Sequence, residues 1–175
     1  MPIAPDTKDW TWVLERPCPE CGFDARDHPR ESIGPTVRAN AASWLAVLAR
    51  GDVSARPSDD RWSALEYACH VGDVYRRFFT RIDLMLSEDD PLFDNWDQDA
   101  SAIEDAYEQQ VPASVVHELT VAAEALASQL DQVSGPAWQR PGRRSDGVAF
   151  RVETIAPYMV HDVVHHLWDV GRQRR

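Results

Sequence analysis

The 175-residue sequence predicts an all-α fold: a four-helix bundle with an irregular N-terminal arm and a short β-hairpin before the last helix. Three observations lead there. Four segments carry apolar residues at three- and four-residue spacing, the period of a helix with one buried face. No series of strands alternates with them, so helices must pack on helices. The length suits one domain able to bury a core between such segments.

Residues 1–31 are rich in Pro, Asp and Trp and lack helical periodicity. They read as an arm packed through Trp10 and Trp12, with the bundle occupying residues 32–175. The first helix is expected over about residues 35–50: Pro35 suits a first helical position, Val37, Ala41, Trp44, Leu45 and Leu48 form the stripe, and Gly51 follows. The second starts at Ser63-Ala64-Leu65-Glu66, a capping box whose two side chains satisfy each other's free backbone N–H groups. Its stripe of Leu65, Cys69, Tyr75, Phe79, Ile82 and Leu86 runs to about residue 87. Residues 89–97 read as a loop and residues 98–109 as a short acidic helix.

The third long helix opens at Pro112 and buries Val116, Leu119, Ala123, Leu126, Leu130 and Val133. Residues 138–152 form the hairpin, with Ser145-Asp146-Gly147 as its turn. The fourth helix covers about residues 153–171, with Pro157 tolerated only in its first turn.

Charge excludes one class of partner. There are 18 Lys and Arg against 29 Asp and Glu, a net −11, and phosphate binding needs a concentrated basic footprint. The basic clusters at residues 140–144 and 172–175 are too short to supply it, so no nucleic acid is expected. The start has no basic segment leading into an apolar one, so it does not read as a leader. The longest apolar stretch, residues 41–49, falls far short of the ~20 residues of a membrane span. A cytoplasmic protein with no membrane association is the expectation. Three cysteines make no closed disulfide framework, so reduced thiols are expected.

The chemistry lies in the histidines. His161 and His165 are four residues apart on one helix face, separated by about 6 Å along the axis. Two readings stay open on spacing alone: a pair converging on one ion, or unrelated packing and surface histidines. His70, mid-helix on the second segment, strengthens the first reading, because packing of the second and fourth helices would bring it toward the pair. Three imidazoles with an open fourth position make a catalytic-type site for zinc or a similar metal.

Residue patterns carry a family resemblance. Trp62-Ser63-x-x-Glu66-x-x-x-His70, Asn95-Trp96-Asp97-Gln98-Asp99, Arg144-Ser145-Asp146-Gly147 and Tyr158-x-x-His161-Asp162-x-x-His165-His166-Leu167-x-Asp169 resemble the DinB-like superfamily, which includes mycothiol-dependent maleylpyruvate isomerase. The resemblance spans about residues 35–172. It implies a DinB-like bundle with one divalent metal ion on His70, His161 and His165, zinc foremost, with nickel, iron and manganese as alternatives. It also implies a small-molecule substrate and a low-molecular-weight thiol, in an S-transferase, hydrolase or isomerase. A homodimer fits the family, and a non-catalytic metal-binding stress-response bundle is the competing expectation. The isomerase's second domain is not expected in this sequence, and no Gly-rich strand-to-helix turn supports a methyltransferase.

Around that site Asp73 or Asp169 is a candidate to accept the outer N–H of a ligating imidazole. Arg77 is a candidate to orient an anionic substrate, or else to pair with Asp73. Glu66 is expected to serve as a cap, and His166, rotated about 100° from His165, to pack or hydrogen-bond. His117 and His28 are expected at the surface. In the arm, Cys18 and Cys21 have zinc-knuckle spacing with His28 as a third candidate ligand and Asp24 or Asp27 as a fourth. A reduced Cys-Pro-Glu-Cys-Gly turn is the simpler expectation, and Cys69 is a core residue.

Overall fold

The computed structural model describes residues 9–172. Residues 1–8, which begin the segment expected to be no leader, and residues 173–175 of the C-terminal basic cluster lie outside the described residues.

Among the described residues, five α-helices and three short strands follow one another, joined in places by 3-10 turns. Helix α1 spans Arg30–Leu48, α2 Ala64–Ser87, α3 Gln98–Glu104, α4 Pro112–Gln132 and α5 Val152–Arg172. Strands β1 (Leu92–Phe93), β2 (Pro141–Arg144) and β3 (Ala149–Arg151) make a small sheet in which β1 runs parallel and β3 antiparallel to β2. Helices α1 and α2 each pack against both α4 and α5 and only slightly against each other. The two consecutive helices therefore stand at opposite corners of the bundle.

The capping box forms as expected: Ser63 Oγ accepts from the Glu66 N–H at 3.2 Å, and Glu66 Oε2 accepts from the Ser63 N–H at 2.8 Å. The hairpin also forms, pairing Gly142 with Phe150. Gly142 is required by a close approach, since a Cβ there would sit 2.6 Å from Met85 Cγ and 3.1 Å from Phe93.

Three boundaries differ from expectation. Helix α1 begins five residues early, after Pro29, and Pro35 lies inside it; proline's fixed φ suits either position, and the missing N–H costs one hydrogen bond. Pro157 sits in the second turn of α5, because that helix starts at Val152 directly from the hairpin. The loop over residues 89–97 contains β1, whose two residues are too few to show a period.

One buried amide fixes how the helices are rotated. Asn40 of α1 accepts from Tyr75 Oη of α2 at 2.7 Å and from Trp44 Nε1 at 3.2 Å, and donates to the Val163 carbonyl of α5 at 2.9 Å. Asn40, Trp44 and Tyr75 are all buried, and so costly to leave unpaired. The network sets the rotation of α5 at Val163, between the residues that carry the chemistry.

Candidate metal centres

The histidines of α5 divide between two groups. One comprises His70 of α2 with Asp162 and His166 of α5; the other comprises Cys18 and Cys21 of the arm with His161 and His165 of α5. Within each group the ligand atoms all lie within 4.8 Å of one another.

The expected trio of His70, His161 and His165 is thus not one group. One residue along a helix is a rotation of about 100°, so 162/166 and 161/165 form neighbouring stripes. The first faces α2 and the second faces the arm. Asp162 and His166, with the same four-residue spacing, stand where the sequence had suggested the histidine pair.

In the inner group His70 is wholly buried. Asp162 Oδ1 lies 3.5 Å from His70 Nε2 and 3.0 Å from His166 Nε2. Yet among the described residues neither His70 nitrogen nor Asp162 Oδ1 makes an aligned hydrogen bond. Buried polar atoms are normally paired; here His70 Nε2 and Asp162 Oδ1 lie beside His166 Nε2 with no aligned hydrogen bond of their own, an arrangement that suits ligand atoms of one cation. A carboxylate and two imidazoles form a ligand set suited to zinc and other first-row metals, with a coordination position to spare.

The surroundings orient this group. Asp169 Oδ2 lies 3.3 Å from His166 Nδ1, which leaves Nε2 to face Asp162; such a carboxylate fixes a ligating imidazole's tautomer. Burial pulls the His166 pKa down, but the adjoining Asp162 and Asp169 carboxylates outweigh it and raise the value to about 9. Burial also pushes the Asp162 carboxyl up, and the His166 and His70 imidazoles overcome this to hold it well below the carboxylate range. Burial lowers His70.

Trp96 stacks on His70 with centroids 5.0 Å apart and planes 9° from parallel, while Trp62 and Tyr67 pack on His70 and His166. Trp96 is placed by the sheet: the Asn95 N–H donates to Ser145 Oγ in the hairpin turn at 2.8 Å, and Trp96 Nε1 donates to Ser101 Oγ at 2.8 Å. The two sequence patterns around residues 95–99 and 144–147 meet here.

The remaining candidates separate. Asp169 lies nearer His166 Nδ1, at 3.3 Å, than His165 Nε2, at 3.9 Å, so it stands where it could orient His166 rather than His165. Asp73 does not reach the imidazoles: it pairs with Arg76 at 2.5 Å and accepts from the Tyr107 hydroxyl. Arg77 lies 4.6 Å from the Trp96 ring centroid, and among the described residues its buried Nε has no hydrogen-bond partner. Glu66 caps α2 and also pairs with Arg56. His117 is exposed. His28 is half-buried, stacked on Phe23 at 4.8 Å, and belongs to neither group. Cys69 is buried, and burial pushes its thiol up to about 12.

In the outer group Cys18, His161 and His165 are buried and Cys21 is half-buried. Cys18 Sγ is 3.7 Å from His165 Nδ1, and Glu20 Oε2 is 3.2 Å from His165 Nε2. The Cys-Pro-Glu-Cys-Gly turn closes through Gly22 N–H to the Cys18 carbonyl (2.9 Å) and Cys18 N–H to the Phe23 carbonyl (2.7 Å). Gly22 stands at φ +76°, a region glycine enters without a Cβ penalty. Trp10 packs on both imidazoles with centroids 5.3 Å away, and Phe23 meets His161 edge-on. Burial and the neighbouring His165 draw the His161 pKa down to about 4.

Comparison with known proteins places this architecture. The model of the DinB superfamily matches residues 36–170. The chain belongs to the DinB superfamily. Among solved structures, this DinB-superfamily chain is similar to YfiT from Bacillus subtilis, described as a probable metal-dependent hydrolase with an unusual four-helix bundle topology. The TM-score is 0.73 at 16% identity, covering 83% of this chain and 87% of YfiT. At that identity the likeness concerns the fold. No curated protein matches the chain. Among the described residues of this DinB-superfamily member, no helix is long and apolar enough to cross a membrane.

Proposed function

We propose that this chain is a metal-dependent enzyme that uses a coordinated water or low-molecular-weight thiol as nucleophile, with one divalent ion held by His70, Asp162 and His166. The observation that carries the reading is the convergence of three ligand atoms from α2 and α5, His70 Nε2 and Asp162 Oδ1 among them without an aligned hydrogen bond. YfiT's description as a probable metal-dependent hydrolase supports the reaction class, and the thiol rests on the family resemblance.

A divalent ion at this ligand set would lower the pKa of a coordinated water or thiol and supply a nucleophile at neutral pH. The protein's own groups do the rest. Asp169 holds His166 in the ligating tautomer. Trp96, Trp62 and Tyr67 wall the imidazoles with aromatic surface, keeping the local dielectric low. Arg77 and Arg81 line a neighbouring cleft of about 510 Å³ together with Arg76 and the carboxylates Asp73, Asp94 and Asp105; Asp73 is taken up by Arg76, which leaves Arg77 to meet the anionic end of a substrate. Burial and the neighbouring Arg77 and Arg144 hold the Arg81 pKa down, to about 10.

One observation favours a non-catalytic metal-binding bundle: His70 is fully buried beneath Trp96, and the cleft does not include it. Cobalt loading separates the readings. In a Cys18→Ser/Cys21→Ser background, where the chain's own arm thiols are absent, titration with glutathione, mycothiol or bacillithiol should add thiolate-to-cobalt absorption and release a proton. A cobalt spectrum indifferent to every thiol removes the thiol reading. If a cobalt-bound water cannot be displaced by azide either, the ion is closed to substrate and the enzyme reading fails with it.

A further inference from the structure

We infer that Cys18, Cys21, His161 and His165 bind a second metal ion, a structural zinc that fastens the N-terminal arm to α5. The inference does not depend on the enzymatic reading, because it rests on a different ligand set and a different face of the helix.

Four features support it. The spacing is Cys-x2-Cys and, more than a hundred residues later, His-x3-His, which is the arrangement of structural Cys2His2 zinc sites. The four ligand atoms lie within 4.8 Å of one another. The separation of Cys18 Sγ from His165 Nδ1, 3.7 Å, is close to the ~3.6 Å edge of a tetrahedron built from zinc–sulfur and zinc–nitrogen bonds. Among the described residues His161 Nε2 is buried without a hydrogen-bond partner.

The turn is built for the purpose. Gly22 at positive φ and the two backbone hydrogen bonds around Cys18 fold the chain so that both sulfurs face α5. Glu20 lies on the His165 nitrogen that faces away from Cys18, the place of a carboxylate that orients a ligating imidazole. Two thiolates and two imidazoles select zinc over magnesium or calcium. Four protein ligands also leave no position for substrate, so this ion holds structure and performs no chemistry.

The arm already packs on the bundle through apolar contacts, which the ion would reinforce. Its described part, residues 9–29, holds two short 3-10 turns, Thr11–Leu14 and Ala25–Asp27, and packs through Trp10, Val13 and Phe23. A metal clip between residues so distant in sequence removes a large share of the arm's conformational freedom.

The test uses the full-length protein. Cobalt-loaded wild type should show thiolate-to-cobalt absorption without added thiol. Cys18→Ser/Cys21→Ser should lose that absorption and about one equivalent of zinc per chain, while His70→Ala should keep the absorption. Native protein read without substitution guards against misfolded variants: Cys21 should resist alkylation until a chelator removes the zinc, and tryptic cleavage in the arm should accelerate in step. A wild-type cobalt spectrum lacking thiolate absorption overturns the inference. So does full zinc content in the double cysteine variant, or a Cys18–Cys21 disulfide in freshly isolated protein.

Discussion

His166 Nε2 lies 3.0 Å from Asp162 Oδ1, one turn earlier on α5. That contact places an imidazole and a carboxylate of one helix against His70 of another, and makes Asp169, on the far nitrogen of His166, part of the same arrangement.

Asp169→Asn should therefore weaken the inner metal without unfolding the bundle. The amide can no longer fix the His166 tautomer as a carboxylate does, and loss of such a partner typically costs about 10–100-fold in metal affinity. Competitive titration with a chromophoric chelator reads this, and unchanged circular dichroism controls for folding. Affinity equal to wild type would leave Asp169 without the orienting role.

Asn40→Leu should destabilise the whole bundle. It leaves Tyr75 Oη and Trp44 Nε1 buried without their acceptor, at about 1–3 kcal/mol for each stranded group. Urea unfolding should show a lower midpoint with an unchanged slope. A midpoint equal to wild type would show that the network does not hold α1, α2 and α5 together.

Much of this architecture was legible because its signals are local. The capping box at Ser63 and Glu66 needs four residues to recognise, the hairpin turn at Ser145-Asp146-Gly147 needs three, and His70 stood out as a lone imidazole in an apolar stripe. The division of the α5 histidines was not local. Two four-residue pairs, 161/165 and 162/166, overlap on that helix, and only its rotation, fixed by Asn40 on the Val163 carbonyl, decides which faces α2. Asp162 carries no signal of its own in the sequence, because aspartates are common on exposed helix faces. Docking of Cys18 and Cys21 against His165 is a contact over more than a hundred residues that no window of sequence contains.

Acid should weaken the start of α2. Burial raises the Glu66 pKa, but hydrogen bonds from Arg56 and the Ser63 N–H outweigh it, so the folded-state value lies below the unfolded one. A carboxyl depressed in this way stabilises the fold fully above its unfolded pKa, about 4.3, and loses that contribution as pH falls through the folded value. Wild type should exceed Glu66→Gln in stability by a constant margin at neutral pH, and the margin should shrink below about pH 4. A gap that stays level down to acid unfolding would show that the Arg56 contact contributes nothing.

The most direct test of the inner centre is the metal content of Cys18→Ser/Cys21→Ser protein, with and without His70→Ala added. The arm thiols stand outside the inner ligand set, so the double variant should retain about one divalent ion per chain, and the added His70→Ala should abolish it. A double variant that keeps its helical content and binds no metal would contradict the assignment of an ion to His70, Asp162 and His166.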